Sequence, residues 1–272
     1  MLALLSWNIQ FGLGVDGRID LARIARVANA LGDADVLCFQ EVSAGFMEFD
    51  LGADQAAQLE SLFPGHEPVF APAVDRGPAP RRRFGNMILS RLPILDVVAH
   101  ALPRPADASV IHMQRQALEI TVAVGAAALR VVTTHLEFHS LAQRRAQAER
   151  LAALEAEWLD AHAMPPLAGK GPYGALPPSL GTILCGDFNF ETDESSYAAL
   201  SAEFIEAWPA LHGTTPHAPT CGVHDFKQWP TGPHARDFFF VSPRLAPRLR
   251  RLAVDTVTDA SDHQPLLLSL DL

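Results

Sequence analysis

Apolar residues fall along this chain in short runs separated by polar clusters, a spacing that suits strands buried on both faces better than long amphipathic helices. The runs predict strands at 2–7, 36–39, 87–89, 94–98, 117–124, 129–134, 182–184, 237–241 and 265–270. A period near 3.6 appears at 20–31, where Ile24, Val27, Ala28 and Leu31 share a face. It appears again at 142–162, where Leu151, Leu154, Trp158 and Leu159 do the same. Shorter helices are expected at 54–62 and 195–202. Two stretches, 71–84 and 163–181, are rich in proline and glycine, which remove ladder donors and break helices, so both read as surface loops. No repeat or low-complexity tract divides the chain, and residues 1–272 read as one domain.

The ends of the apolar runs carry more information than their number. The first run stops at Asn8 and Gln10, the second at Gln40 and Glu41, another at His135 and Glu137, and another at Asp187 and Asn189. Asp262 and His263 precede the last strand. Polar groups that cannot be interior collect at strand ends and the following loops, so several such ends at one rim would build a polar site. Asp237 opens an apolar strand, where an unpaired carboxylate is costly, and this favours a partner such as His263.

Composition narrows the chemistry. The 272 residues carry 31 Asp and Glu against 21 Lys and Arg, a formal net charge of −10, with 49% hydrophobic residues. That describes a globular protein with a sizeable core, and it argues against tight binding of long duplex nucleic acid, which needs arrays of basic residues. Cys38, Cys185 and Cys221 are odd in number and widely spaced, with no C-x-x-C pair. Neither a disulfide framework nor a cysteine zinc site is indicated, and a reducing, cytoplasmic setting is expected. The first residues lack the basic region of a secretory signal, and no apolar run approaches a membrane span. Carboxylates and amides without cysteine form the hard oxygen set that suits Mg²⁺ or Mn²⁺. With histidines and an Asp-x-Asn beside them, these are the parts for metal-assisted hydrolysis of a phosphate ester.

The motifs SWNIQ, LCFQEV, FGNMILSRLPI, TTHLEFHS, CGDFNFETD, RDFFFVSP and SDHQPLLLSL run in order from residue 6 to residue 270. Together they resemble the endonuclease/exonuclease/phosphatase superfamily with the deoxyribonuclease I-like fold. The resemblance implies an α/β, four-layer sandwich of two mixed β-sheets flanked by helices. It implies that Glu41 is the principal metal carboxylate, with Asn8 as an amide ligand or as a hydrogen bond that fixes it, and that Asp262 binds metal or water. Asp187 would position and deprotonate the attacking water, and Asn189 would hold a phosphate oxygen. His263 would stabilise transition-state charge, with Asp237 fixing its tautomer. His135 would contact phosphate or protonate the leaving oxygen. Asn86 would orient the substrate, and Arg115 would clamp phosphate.

Gln10 stands where abasic-site members of the family have an aspartate, and the T-H-L histidine places the chain in the histidine-bearing branch. The expected activity is therefore that of a divalent-metal-dependent phosphoesterase other than an abasic-site enzyme, acting as a monomer on nucleic acid, a nucleotide or a small phosphorylated molecule. The alternatives are a small-molecule or lipid phosphatase of the same fold and a non-catalytic phosphate-binding module. Phe188, Phe190, Phe226 and Trp229 are candidates for a stacking wall, and Arg81, Arg82 and Arg83 for an anion patch. The loops 71–84 and 163–181 are the expected carriers of substrate choice.

Overall fold

The computed structural model describes every residue except Pro166. The chain runs through β1 (Leu2–Asn8), α1 (Leu21–Leu31), β2 (Val36–Ala44), α2 (Met47–Asp50), α3 (Gln55–Leu62), β3 (Glu67–Arg76), β4 (Arg82–Ser90), β5 (Ile94–Ala101), β6 (Gln116–Val124) and β7 (Ala127–His135). It continues through α4 (Leu141–Ala163), β8 (Ser179–Asp187), α5 (Ser195–Ser201), β9 (Ile205–Glu206), α6 (Ala207–His212), β10 (Asp237–Val241), β11 (Leu249–Val254) and β12 (Leu266–Leu270). Three helices start at side-chain caps: Asp20 accepts from Arg23 N at 2.9 Å, Asp54 from Ala57 N at 3.2 Å, and Ser140 from Gln143 N at 3.3 Å.

The strands form two six-stranded sheets, ordered β11-β12-β1-β2-β4-β3 and β5-β6-β7-β8-β10-β9. Both are mixed: β1 with β2 and β7 with β8 pair in parallel, while the other neighbours are antiparallel. Side chains alternate between two cores, which explains the unbroken apolar runs. Leu2 and Leu4 of β1, Val36 and Cys38 of β2, Val131 of β7, Ile183 and Cys185 of β8, and Phe239 of β10 fill the space between the sheets. The opposite parity, with Leu5, Trp7, Leu37 and Phe39, packs on α1 and α3. On the second sheet Val132, Leu184, Phe238 and Phe240 pack on α4 and α5. The result is the expected four-layer sandwich.

Two expectations need correction. The stretch 71–84 is mostly a β-hairpin, with only 77–81 outside the strands. Its β3 is an edge strand, where Pro68 and Pro72 cost no ladder bond on the open side, and the pairing with β4 shifts between Pro72 and Val74. At the other stretch, α4 reaches Ala163 and β8 begins at Ser179, and the described residues between them hold only a short 3₁₀ turn at Gly171–Tyr173. β11 escaped notice because the exposed pair Arg250 and Arg251 interrupts its alternation at a register shift. No helix among the described residues is long and apolar enough to cross a membrane.

Candidate active site

The strand alternation that fills the space between the sheets also builds the site at one end of it. Leu2, Leu4, Ser6 and Asn8 share one face of β1. On β8 the inward row Ile183 and Cys185 ends at Asp187, and on β7 the row Val131 and Thr133 ends at His135. His135 and Asp237 are the register partners of Asp187 on either side, so three functional groups stand in one row across β7, β8 and β10. Gly186 has φ +139°, and a β-carbon there would collide with the Thr134 carbonyl oxygen, which accounts for the glycine before Asp187.

Glu41 arrives by a different route. The β2–β4 pairing steps from Phe39↔Met87 to Val42↔Gly85, inserting one extra residue in β2, and Glu41 takes φ 60° at this bulge. A bulge re-aims a side chain, and a non-glycine residue in the left-handed region is held only where surrounding structure demands it. Behind it, Gln40 Nε2 donates to Thr133 Oγ1 at 2.8 Å, tying the sheets together.

Asn8 Nδ2 donates to Glu41 Oε1 at 3.1 Å and to Asp187 Oδ2 at 2.9 Å, while its Oδ1 accepts from Gln10 N at 3.1 Å. Of the two expectations for Asn8, this orientation is that of a donor that fixes Glu41. Asp187 Oδ2 also lies 3.4 Å from His135 Nε2 and 3.6 Å from His263 Nε2. His263 Nδ1 sits 2.8 Å from Asp237 Oδ2, the pairing expected from the cost of an isolated carboxylate. The His263 backbone carbonyl accepts from Trp7 Nε1 at 2.9 Å.

These contacts set the charges. Burial opposes a charged His263, but Asp237, Asp187 and Asp262 outweigh it and raise the imidazole well above its usual range. Burial also works against an ionised Asp187, yet His263, His135, the Asn8 amide and the Asn189 backbone N–H hold its carboxyl below the usual range. Burial, with Arg115 nearby, pushes His135 down to about 3, so it stays neutral. Glu41 is pushed up to about 7 by burial and by the neighbouring Asp262, and Asp262 is itself raised by burial and by Asp187. Two mutually repelling oxygen-donor carboxylates on one cleft fit a cation between them. Ligand atoms of Asp187, Asp237 and His263 also lie within 4.8 Å of one another. The 2.8 Å hydrogen bond already occupies the Asp237–His263 pair, and Asp262 Oδ2 accepts from Gln228 Nε2 at the same distance.

The cleft encloses about 410 Å³, and Glu41, Arg115, His135, Asp187, Asn189, Asp262 and His263 all line it. Asn8 and Asp237 stand behind this wall. Asn86 lies between the sheets, donating to the Gln116 carbonyl at 3.3 Å, and lines a small void beside Arg115 and His135 instead of the cleft. Asn189 has φ 54°; its backbone N–H donates to Asp187 Oδ1 at 2.9 Å and its Nδ2 to the Leu136 carbonyl at 3.0 Å. Arg115 Nε donates to the fully buried Glu137 at 3.2 Å, while Arg115 Nη1 is buried with no hydrogen-bond partner among the described residues.

Several contributors were not singled out as site residues from the sequence. Phe138, His139 and Gln228 line the cleft, Ser261 Oγ donates to the Asn8 carbonyl at 2.8 Å, and Gln228 Nε2 donates to Asp262 at 2.8 Å. Ser261 lies inside the S-D-H motif, and Phe138 and His139 inside TTHLEFHS, which was the available signal; Gln228 sits in a loop that carries none. Phe188 and Phe190 belong to the core beneath α4, whereas Trp229 does wall the cleft and Phe226 is exposed. Arg81 pairs with Asp75 and Arg83 with Asp54, so these arginines form no free anion patch. The described residues of 163–181 contribute nothing to the cleft lining.

Two mixed sheets with a carboxylate, amide and imidazole cluster at one rim define an α/β sandwich with a polar cleft. The chain belongs to the endonuclease/exonuclease/phosphatase family, whose model matches residues 5–263. No curated protein matches the sequence. Among solved structures it is similar to an endonuclease/exonuclease/phosphatase from Beutenbergia cavernae, at 22% identity and TM-score 0.75, covering 100% of this chain and 71% of that one. It is similar to a mannosyl-6-phosphatase from Bacteroides thetaiotaomicron, at 18% identity and TM-score 0.71, covering 100% of both chains. A truncated TDP2 from Caenorhabditis elegans matches at 16% identity and TM-score 0.65, covering 100% of this chain and 97% of that one. At these identities the likeness is one of fold.

Proposed function

We propose that this chain is a divalent-metal-dependent phosphoester hydrolase that attacks phosphorus with a water held at Asp187. The observation that carries this reading is the setting of Asp187 Oδ2, on which the Asn8 amide and the ring nitrogens of His135 and His263 converge within 3.6 Å. Glu41 and Asp262 would hold Mg²⁺ or Mn²⁺, with Asn8 fixing the Glu41 carboxylate. When bound, the ion supplies positive charge that draws in the phosphate and polarises its P–O bonds.

The chain's own groups do the rest. Asp187, kept ionised, orients the water and takes its proton. His263, kept protonated and oriented by Asp237, donates from Nε2 to a phosphate oxygen as charge develops. Arg115 and Asn189, which line the cleft, are further phosphate contacts, and neutral His135 stands beside the leaving oxygen. The net charge of −10, with Arg81 and Arg83 spent in ion pairs, favours a small phosphorylated molecule over long duplex.

Hydrolysis of bis(p-nitrophenyl) phosphate with Mg²⁺ or Mn²⁺ tests the reading. Asp187→Asn and His263→Ala should each lower turnover by roughly 10²–10⁴-fold with the circular dichroism spectrum unchanged. Undiminished turnover in both variants overturns it.

A further inference from the structure

A second cavity of about 290 Å³ adjoins the cleft and shares Glu41, Arg115 and His135 with it. Its other walls are unlike the cleft's: Phe46, Phe49, Phe84, Val74 and Met113 line it, and the exposed Arg76 stands at its edge. The Phe46 and Phe49 ring centres are 5.9 Å apart, as are those of Phe49 and Phe84, with interplanar angles of 37° and 52°. Phe49 stacks on Phe11 at 4.8 Å yet keeps 37% of its surface exposed, on a helix of four residues. The catalytic steps proposed above use none of these apolar side chains.

We propose that this cavity is the specificity subsite of the enzyme and receives a planar aromatic group carried by the phosphoester being hydrolysed. The inference rests on the hydrolase reading, because the phosphoryl group is placed at the Glu41, Asp187 and His263 end. Three observations select a ring as the occupant. The walls are phenyl rings and a thioether, which attract an aromatic edge or face beyond the area buried. The volume is at the small end for ligand pockets, where typical values run from about 300 Å³ upward, and it suits one or two fused rings. Arg115 lines both cavities, so its guanidinium can meet the phosphate in the cleft while the ring lies against Phe49 and Met113. Guanidinium stacking already occurs here, with Arg82 5.5 Å from the Phe46 ring centre, so Arg76 can cover an electron-rich ring in the same manner. An alkyl chain of equal area would gain the burial but not the added attraction of these ring faces and guanidinium planes.

Calorimetric titration of the Mn²⁺-loaded protein with phenylphosphonate and with methylphosphonate tests this without requiring turnover. Phenylphosphonate should bind about tenfold tighter, the ratio expected for burying one ring against aromatic walls. In the Phe49→Ala and Met113→Ala variants that ratio should fall to about threefold or less, with the methylphosphonate affinity unchanged as a control for folding. Equal affinities in the parent protein, a preference that survives both substitutions, or no binding of either phosphonate overturns the subsite. If bis(p-nitrophenyl) phosphate is still hydrolysed in those cases, the catalytic reading stands without it. A ring preference lost in the variants, in a protein that hydrolyses no ester, supports the subsite and overturns the catalytic reading.

Discussion

Asp237 Oδ2 lies 2.8 Å from His263 Nδ1, although Asp237 opens a strand of the second sheet and His263 precedes the last strand of the first. Asp237 is the strongest of the three carboxylates that keep His263 charged against the cost of burial. Replacing it with asparagine removes that charge and lets the imidazole pKa fall. Activity that needs the imidazolium is lost as pH rises through this pKa, so the alkaline limb of the pH–rate profile should move to lower pH in Asp237→Asn. The accompanying loss in kcat should be roughly 10²–10³-fold. The measurement is the pH dependence of bis(p-nitrophenyl) phosphate hydrolysis. An unmoved limb would mean that His263 does not titrate in the reaction.

Glu41 and Asp262 repel one another across the cleft, and a divalent ion held by them would relieve that repulsion only in the folded chain. Saturating Mn²⁺ or Mg²⁺ should therefore raise the unfolding midpoint, by the equivalent of about 2.7 kcal/mol at a hundredfold excess over Kd. Glu41→Gln should remove most of this gain and unfold at a temperature nearly independent of metal. Thermal unfolding followed by circular dichroism, with and without the ion, reads both effects. A full metal shift in the Glu41 variant would place the ion elsewhere.

Much of this arrangement was legible in the sequence because parity carries it. Asn8, His135, Asp187 and Asp237 continue the inward rows of their strands, so an apolar run ending in a polar residue marks both the strand and its mouth. Asp237 announced a partner by the cost of its position. Glu41 was legible only as a motif, since the bulge that turns it into the cleft leaves no pattern in the residue types. The hairpin at 71–84 was hidden by Pro72, which an edge strand tolerates and a central strand does not, and by Gly77, Pro78 and Pro80 of its turn. The α4 face was misread in part. Leu151 and Leu154 are buried as expected, but so are Gln143, Arg144, Gln147 and Glu155, whose partners lie far away in sequence. Arg144, for example, pairs with Glu194, fifty residues on, at 3.1 Å.

Glu206 offers a pH test away from the cleft. Burial pushes its carboxyl up to about 7; Oε2 accepts from Tyr197 at 2.8 Å, while Oε1 has no partner and lies 3.8 Å from His217 Nε2. The folded state therefore holds a proton that the unfolded chain, with a carboxyl near 4.5, has released. This group contributes no penalty below pH 4.5. Its penalty grows as pH rises from 4.5 to 7 and is complete above that, at about 3 kcal/mol in order of magnitude. Glu206→Gln keeps the acceptor for Tyr197 and removes the ionisation. Urea unfolding should show the variant more stable than the parent at pH 8 and equal to it near pH 4.5. A pH-independent difference would mean that Glu206 is ionised in the fold.

Arg115 and Glu137 form an ion pair at 3.2 Å with side-chain exposures of 8% and 0%, and the pair places a guanidinium between the two cavities. A buried pair of this kind contributes little net stability, because its attraction is offset by the desolvation of two charges, yet removing one partner strands the other. Glu137→Ala should destabilise the chain by about 3–5 kcal/mol. The double replacement Arg115→Met with Glu137→Leu should cost markedly less than Glu137→Ala alone, because no buried charge is left over. Function should not recover with stability, since the double variant lacks the Arg115 guanidinium that lines the cleft. Its methylphosphonate affinity should remain weak even where its unfolding midpoint approaches that of the parent. Equilibrium unfolding and phosphonate titration on the same preparations separate the two effects. If stability and affinity return together, Arg115 is a structural residue and contributes no contact to phosphate.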